Sequence, residues 1–193
     1  MTISRDSLMT LEAYAKARKS MRERVIAHKK DRIVRIGNHL TLLFEDELTI
    51  GYQIHEMLHI EKIFDEAGIQ GELAAYLPLV PSGSNLKATM QIEYEGEVER
   101  RAALRRLIGI EDHVFVQVDG ESPIYAIADE DLERDNDEKT SAVHFLRFEF
   151  SPGMRQCFLD GMGLTIGCDH PSYPSPPERV PDNVRASLLN DLR

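Results

Sequence analysis

Between Asp6 and about Lys30, Leu8, Leu11, Ala15, Met21, Val25 and Ile26 recur at helical spacing among charged neighbours. That pattern predicts one long amphipathic N-terminal helix. Two short β-like runs follow, "RIVRIG" and "LTLLFED", and the Gly37-Asn38 pair between them suits a tight hairpin turn. Helical spacing returns from Thr49 to about Ala67, with Gly68 as its stop signal. The turn-rich "PLVPSGSN" then leads into a strand-like "LKATMQIEY".

In "EVERRAALRRL", Glu97 to Leu107, acids fill the first turn and arginines the last, as the helix dipole prefers, and Gly109 follows as a cap. "HVFVQV", "IYAIA" and "SAVHFLRFEF" read as three strands. Between the last two, the charge run "DEDLERDNDEK" reads as a solvated loop or short helical turn. Ser151-Pro152 places an N-cap and a first-turn proline before a short helix through Leu159. After a strand-like "LTIG", the prolines of "CDHPSYPSPPERVP" predict an extended segment without regular structure, and "NVRASLLNDL" suits a small docking helix. The expected class is α+β, with a mixed or antiparallel sheet of about five to seven strands packed by helices. One domain is expected over residues 1–172, followed by a proline-rich tail over 173–193.

Composition narrows the partners. A length of 193 residues with 42% hydrophobic content suffices for one good core. The net charge of −10 argues against nucleic acid, because a phosphate backbone would repel the average surface. Met1 leads straight into polar residues, and no apolar run is long enough to cross a bilayer. The two cysteines, Cys157 and Cys168, form neither a CxxC pair nor a disulfide framework. A soluble cytoplasmic protein with reduced thiols follows as the expectation. Against this acidic background the first helix and its exit are basic, with Lys16, Arg18, Lys19, Arg22, Arg24, Lys29, Lys30, Arg32 and Arg35. That face is either solvated or a surface for an acidic partner.

Metal binding is the one sharp chemical possibility, since no nucleophile elbow, phosphate loop, dinucleotide fingerprint or paired zinc knuckle occurs. His55-Glu56-Met57-Leu58-His59 has the HExxH spacing, in which two imidazoles on one helix face bind zinc and the glutamate polarises a water. Helical geometry puts His55 and His59 on the side opposite Ile54, Met57, Leu58 and Phe64, so they are expected to face outward or into a cleft. The extended motif is absent, because "IEKIFDEAG" follows His59. His170 or Asp169, in "CDHPSY", would have to supply a third ligand. Glu56 and His59 also spell the Glu-x-x-His element of carboxylate-bridged di-iron bundles, but in a single copy. Glu61 falls amid the apolar side of the same helix, where Arg147 is an available partner for a buried structural ion pair. His144 shares a strand face with Leu146, Phe148 and Phe150. His113 falls opposite the valines of "HVFVQV".

The segments "FEDELTIGYQIHEMLHIEKIF", "AYLPLVPSGSNLKATMQIEY", "GIEDHVFV", "IADEDLERDNDEKTSAVHFLRFEF" and "DHPSY" together resemble the DUF3501 family of uncharacterised bacterial proteins, from about Leu8 to Tyr173. The resemblance implies a setting beside a rubrerythrin and an iron–sulfur oxidoreductase of the heterodisulfide-reductase type, in peroxide or redox defence. It also implies that the positions of His55 and His59 usually carry Gln and Arg, whereas those of Glu56, His113, His144 and His170 are family features. The leading expectation is a metal- or partner-binding accessory, with zinc or iron held by Glu56, His144 and His170 and a protein partner met by the basic first helix. The alternative is a zinc-dependent hydrolase with His55 and His59 as ligands and Glu56 as general base.

Overall fold

The computed structural model describes residues 3–130, 134 and 138–193. The long N-terminal helix forms as α1, Leu11–Lys29, capped by the Thr10 hydroxyl, which accepts from the Ala13 N–H. It buries only Tyr14 and Val25, so most of its circumference stays solvated. Its partner is α2, Glu47–Glu61. Tyr14 meets Glu56 and His28 meets Asp46, which makes the two helices antiparallel.

The helix expected from Thr49 to Ala67 is two helices. Asp46 caps the start of α2 by accepting from the Thr49 N–H, and the Thr49 hydroxyl accepts in turn from the Asp46 N–H. The helix ends at Glu61 because Lys62 turns left-handed, at φ +56°. Asp65 then caps α3, Glu66–Tyr76. Ile50, Ile54, Leu58, Ile69 and Leu73 of these two helices form a small apolar core, closed by Ile3, Leu8 and Leu11.

The strands fall in two antiparallel sheets rather than one. In the first, the order is β1 (Ile33–Ile36), β2 (Leu40–Glu45), β3 (Asn85–Ile92), β7 (Val143–Glu149) and β6 (Ile127–Ala128). Gly37, at φ +58°, makes the expected hairpin turn between β1 and β2. The second sheet runs β5 (Ile124–Tyr125), β4 (Val114–Val118), β8 (Leu164–Cys168) and β9 (Glu178–Arg179). "IYAIA" is therefore split: Ile124–Tyr125 pairs with β4, Ile127–Ala128 pairs with β7, and buried Ala126 is the step between the sheets.

Helices α4 (Glu97–Arg106) and α5 (Pro152–Leu159) form where the capping signals place them, and the Ser151 hydroxyl accepts from the Met154 N–H. The main core joins residues of both sheets to Leu104, Phe158 and the C-terminal segment. Within that segment, α6 (Asp182–Leu188) buries Val184 and Leu188, and Tyr173, Val180 and Leu192 are also buried. The proline-rich stretch makes one two-residue strand, β9, against β8. Arg32, 1% exposed, ties the two ends of the chain together. Its guanidinium donates to the Phe44 and Glu45 carbonyls and the Ser187 hydroxyl, and pairs with Asp191 and Asp46. Among the described residues no helix is long and apolar enough to cross a membrane. The "DEDLERDNDEK" run lies largely outside the described residues.

Candidate metal centre

The polar centre of the fold lies where the two sheets exchange the chain. Gly109, at φ +78°, turns the backbone out of α4 into a 3-10 turn, Ile110–His113, which aims Glu111 inward. The step through Ala126 carries the chain to Asp129, beyond β6. There the backbone adopts φ +46°, a left-handed conformation that Asp tolerates better than most side chains. The Asp129 N–H donates to the Phe145 carbonyl, and Oδ1 accepts from the Phe145 N–H at 2.9 Å and from Arg134 at 3.2 Å. His144, on β7, completes the group and is fully buried.

Asp129 Oδ2 lies 2.6 Å from His144 Nδ1, so Nδ1 carries a proton and donates it to the carboxylate. Nε2 faces three oxygens: Thr140 Oγ1 at 2.9 Å, the Ser141 carbonyl at 3.1 Å and Glu111 Oε2 at 3.7 Å. Thr140 Oγ1 in turn lies 3.5 Å from Glu111 Oε2. Glu111 and Thr140 are buried with the imidazole. Among the described residues Glu111, Asp129 and His144 form the one group of three metal-ligating side chains whose donor atoms all lie within 4.8 Å of one another.

The HExxH residues do not build such a centre. Helix α1 packs over that face of α2, so His55 is buried rather than outward-facing. Its Nδ1 donates to the Gly51 carbonyl at 2.6 Å, its Nε2 accepts from the Met9 N–H at 3.1 Å, and its ring stacks on Tyr14. Both nitrogens are thus engaged. Glu56 takes two 2.8 Å bonds from Arg18 and one from the Tyr14 hydroxyl. The Arg18 guanidinium, aided by that hydroxyl, lowers its carboxyl to about 2. Burial first, then the Glu56 carboxylate, raise the Tyr14 phenol. His59 sets its ring edge against Tyr14.

His170 does not join His144. It is buried beyond β8, its Nε2 donating to the Ile108 carbonyl and its Nδ1 accepting from the Ser172 N–H, both at 3.2 Å. Its ring supports His113, whose Nδ1 bonds Asp169 at 2.8 Å. The Tyr125 hydroxyl donates to the same carboxylate, and these two bonds lower Asp169. The expected Glu61–Arg147 pair does not form. Arg147 bonds Glu130 and Glu149, its neighbours along and beside the sheet. Glu61 ends α2 in solvent, past the reach of the apolar core.

Among the candidates named from sequence, His144 alone sits in the centre. Glu111, Asp129 and Thr140 carried no motif, and the three side chains converge only after the sheets pair. The available sign was the glycine-led turn at Gly109, with two acids, Glu111 and Asp112, after Ile110.

An α+β chain with two antiparallel sheets and a closed carboxylate–imidazole centre is the class these observations define. The chain belongs to the DUF3501 family, proteins of unknown function, whose model matches residues 2–192. Among solved structures it is similar to a novel protein of unknown function from Burkholderia pseudomallei K96243, with 69% identity over 100% of both chains and a TM-score of 0.95. No curated protein matches it.

Proposed function

We propose that this protein binds a divalent cation, zinc or ferrous iron, at Glu111, His144 and Thr140, and serves as an accessory to a redox system rather than as a catalyst on its own. The observation that carries this is the spacing of the oxygens around His144 Nε2. Ligands bonded at about 2.1 Å to one cation stand roughly 3.0–3.5 Å from each other, and the separations here run from 2.9 to 3.7 Å. Asp129 has the place of the outer carboxylate that orients a metal-binding imidazole through its other nitrogen. Imidazole with carboxylate and neutral oxygen suits zinc or ferrous iron better than the soft metals that thiolates select. Burial of Glu111, Thr140 and His144 suits a closed, structural site, since catalytic centres keep an open position.

The family resemblance supports the finer setting, a cytoplasmic accessory of a rubrerythrin-type system with the rubrerythrin or its iron–sulfur oxidoreductase as partner. Exposure of Lys16, Lys19 and Arg22 on α1, and of Lys30 just past its end, is consistent with docking there.

Elemental analysis of protein purified without tag or added metal tests the site. Near-stoichiometric metal is expected in the wild type and in a His55→Gln/His59→Arg double variant, and its loss in Glu111→Gln. Absence of metal from all three proteins would overturn the proposed site. Metal lost only from the double variant would return the site to HExxH.

A further inference from the structure

We propose that Lys87 is a reactive amine that takes up a small neutral aldehyde as an imine, in the cavity between β3, β7 and the turn after α3. Lys87 lies within β3, directly opposite Arg147 of β7. Like charges at facing positions of an antiparallel pair repel each other, so the placement costs stability unless carboxylates offset it. On this face they offset only one of the two cations.

Glu130 accepts from Arg147 Nε and Nη2, each at 2.8 Å, and so uses both oxygens. Glu149 accepts from Arg147 Nη1 at 2.7 Å and from the Ser84 hydroxyl and the Asn85 amide. Glu45, across from Lys87 on β2, accepts from the Thr89 hydroxyl at 2.6 Å. Lys87 is left half-buried, with no hydrogen bond or ion pair among the described residues. Burial lowers its ammonium. The charges of Glu130 and Glu149 oppose that and Arg147 adds to it, and the net shift is downward. Desolvation beside a second cation is what turns a lysine into a nucleophile for carbonyl compounds.

The cavity measures about 60 Å³ and is walled by Ala75, Pro78, Leu79, Phe145 and Leu146, with Glu130 and Arg147 beside Lys87. One water needs about 10–15 Å³ measured this way, so the space admits a few heavy atoms and no cofactor ring. Apolar walls favour a neutral molecule, and an anionic head gains nothing from Arg147, which two carboxylates already hold. In the reaction Nζ adds to the carbonyl carbon. The C–N bond forms, the carbonyl oxygen collects the two amine hydrogens and leaves as water, and no oxidant or reductant is consumed.

Limiting propanal on the full chain, with cyanoborohydride to trap the imine and peptide mass spectrometry to read each lysine, tests this. Lys87 is expected to label several-fold faster than the exposed Lys19 and Lys30, and to lose that preference with benzaldehyde, whose ring exceeds the cavity. A lysine that merely rests its stem on the wall would label more slowly than the exposed ones. Arg147→Met should bring Lys87 down to their rate, because Glu130 and Glu149 are then free to hold the ammonium. If that variant does not fold, the wild-type comparison of the two aldehydes decides. Lys87 labelled no faster than Lys19 and Lys30, an equal preference with benzaldehyde, or an unchanged rate in a folded Arg147→Met chain would each overturn the proposal.

Discussion

Asp129 Oδ2 stands 2.6 Å from His144 Nδ1, and this contact sets what the rest of the centre can do. It fixes the ring and its tautomer, and so presents Nε2 to Glu111 and Thr140. Asp129→Asn keeps a side chain that tolerates the left-handed backbone at φ +46° while removing the charge. Zinc titration should show about a 10–100-fold loss of affinity, as other outer-shell changes do, with a near-wild-type circular dichroism spectrum. Unchanged affinity would remove Asp129 from the site.

Glu56 is held by the Arg18 guanidinium and the Tyr14 hydroxyl. Glu56→Gln should lower unfolding free energy by about 1.5–3 kcal/mol, the range for hydrogen bonds to charged groups, and leave metal content unchanged. Urea denaturation with parallel metal analysis checks both. A stable variant that lost metal would contradict the arrangement.

The Arg32 cluster gives a pH dependence of definite sign. Burial, and the charge of nearby Asp46, raise Asp191 to about 6 in the folded chain, although Arg32 pulls the other way. Unfolded, the group ionises near its ordinary 3.8. Between these values the folded state holds a proton that the unfolded state has lost, so this contribution to stability is full below the lower value and declines as pH rises toward the upper. The change attributable to Asp191 is at most about 3 kcal/mol. Melting curves of wild type and Asp191→Asn across that window should diverge in slope, and parallel curves would contradict the assignment.

Two glycines that both look crowded should behave differently. A Cβ at Gly167 would come within 2.4 Å of the Phe115 ring, whereas at Gly163 it would meet the Arg179 guanidinium. The ring is held on its sheet and the guanidinium is the end of a flexible, exposed side chain. Gly167→Ala should cost about 1–3 kcal/mol and Gly163→Ala under about 0.5 kcal/mol in chemical denaturation. Equal costs would mean that the ring moves aside freely.

The elements legible in sequence were those whose ends carry local chemistry. Gly37 and Ser151-Pro152 each act within three residues of themselves, so reading them needs no knowledge of the fold, whereas the first helix, expected from Asp6, starts at Leu11 behind the Thr10 cap. The break between α2 and α3 was hidden because Lys62, not a glycine, adopts the left-handed turn. "IYAIA" read as one strand because nothing in its alternation marks Ala126 as a change of sheet. The cluster of Glu111, Asp129 and His144 was hidden for a related reason: the three lie far apart in sequence and meet through strand pairing. HExxH was misleading in the opposite way. Its spacing is local and correct, but α1 lies over that face and holds Glu56, while the His55 nitrogens bond the Gly51 carbonyl and the Met9 N–H.

The most direct test of the central claim is an anomalous difference map at the zinc edge, from crystals of this protein grown with equimolar zinc. The account predicts a strong peak within bonding distance of His144 Nε2, bounded by Glu111 and Thr140, with Asp129 remaining on Nδ1. A map with its peak at His55 and His59, or with none at His144, would contradict it.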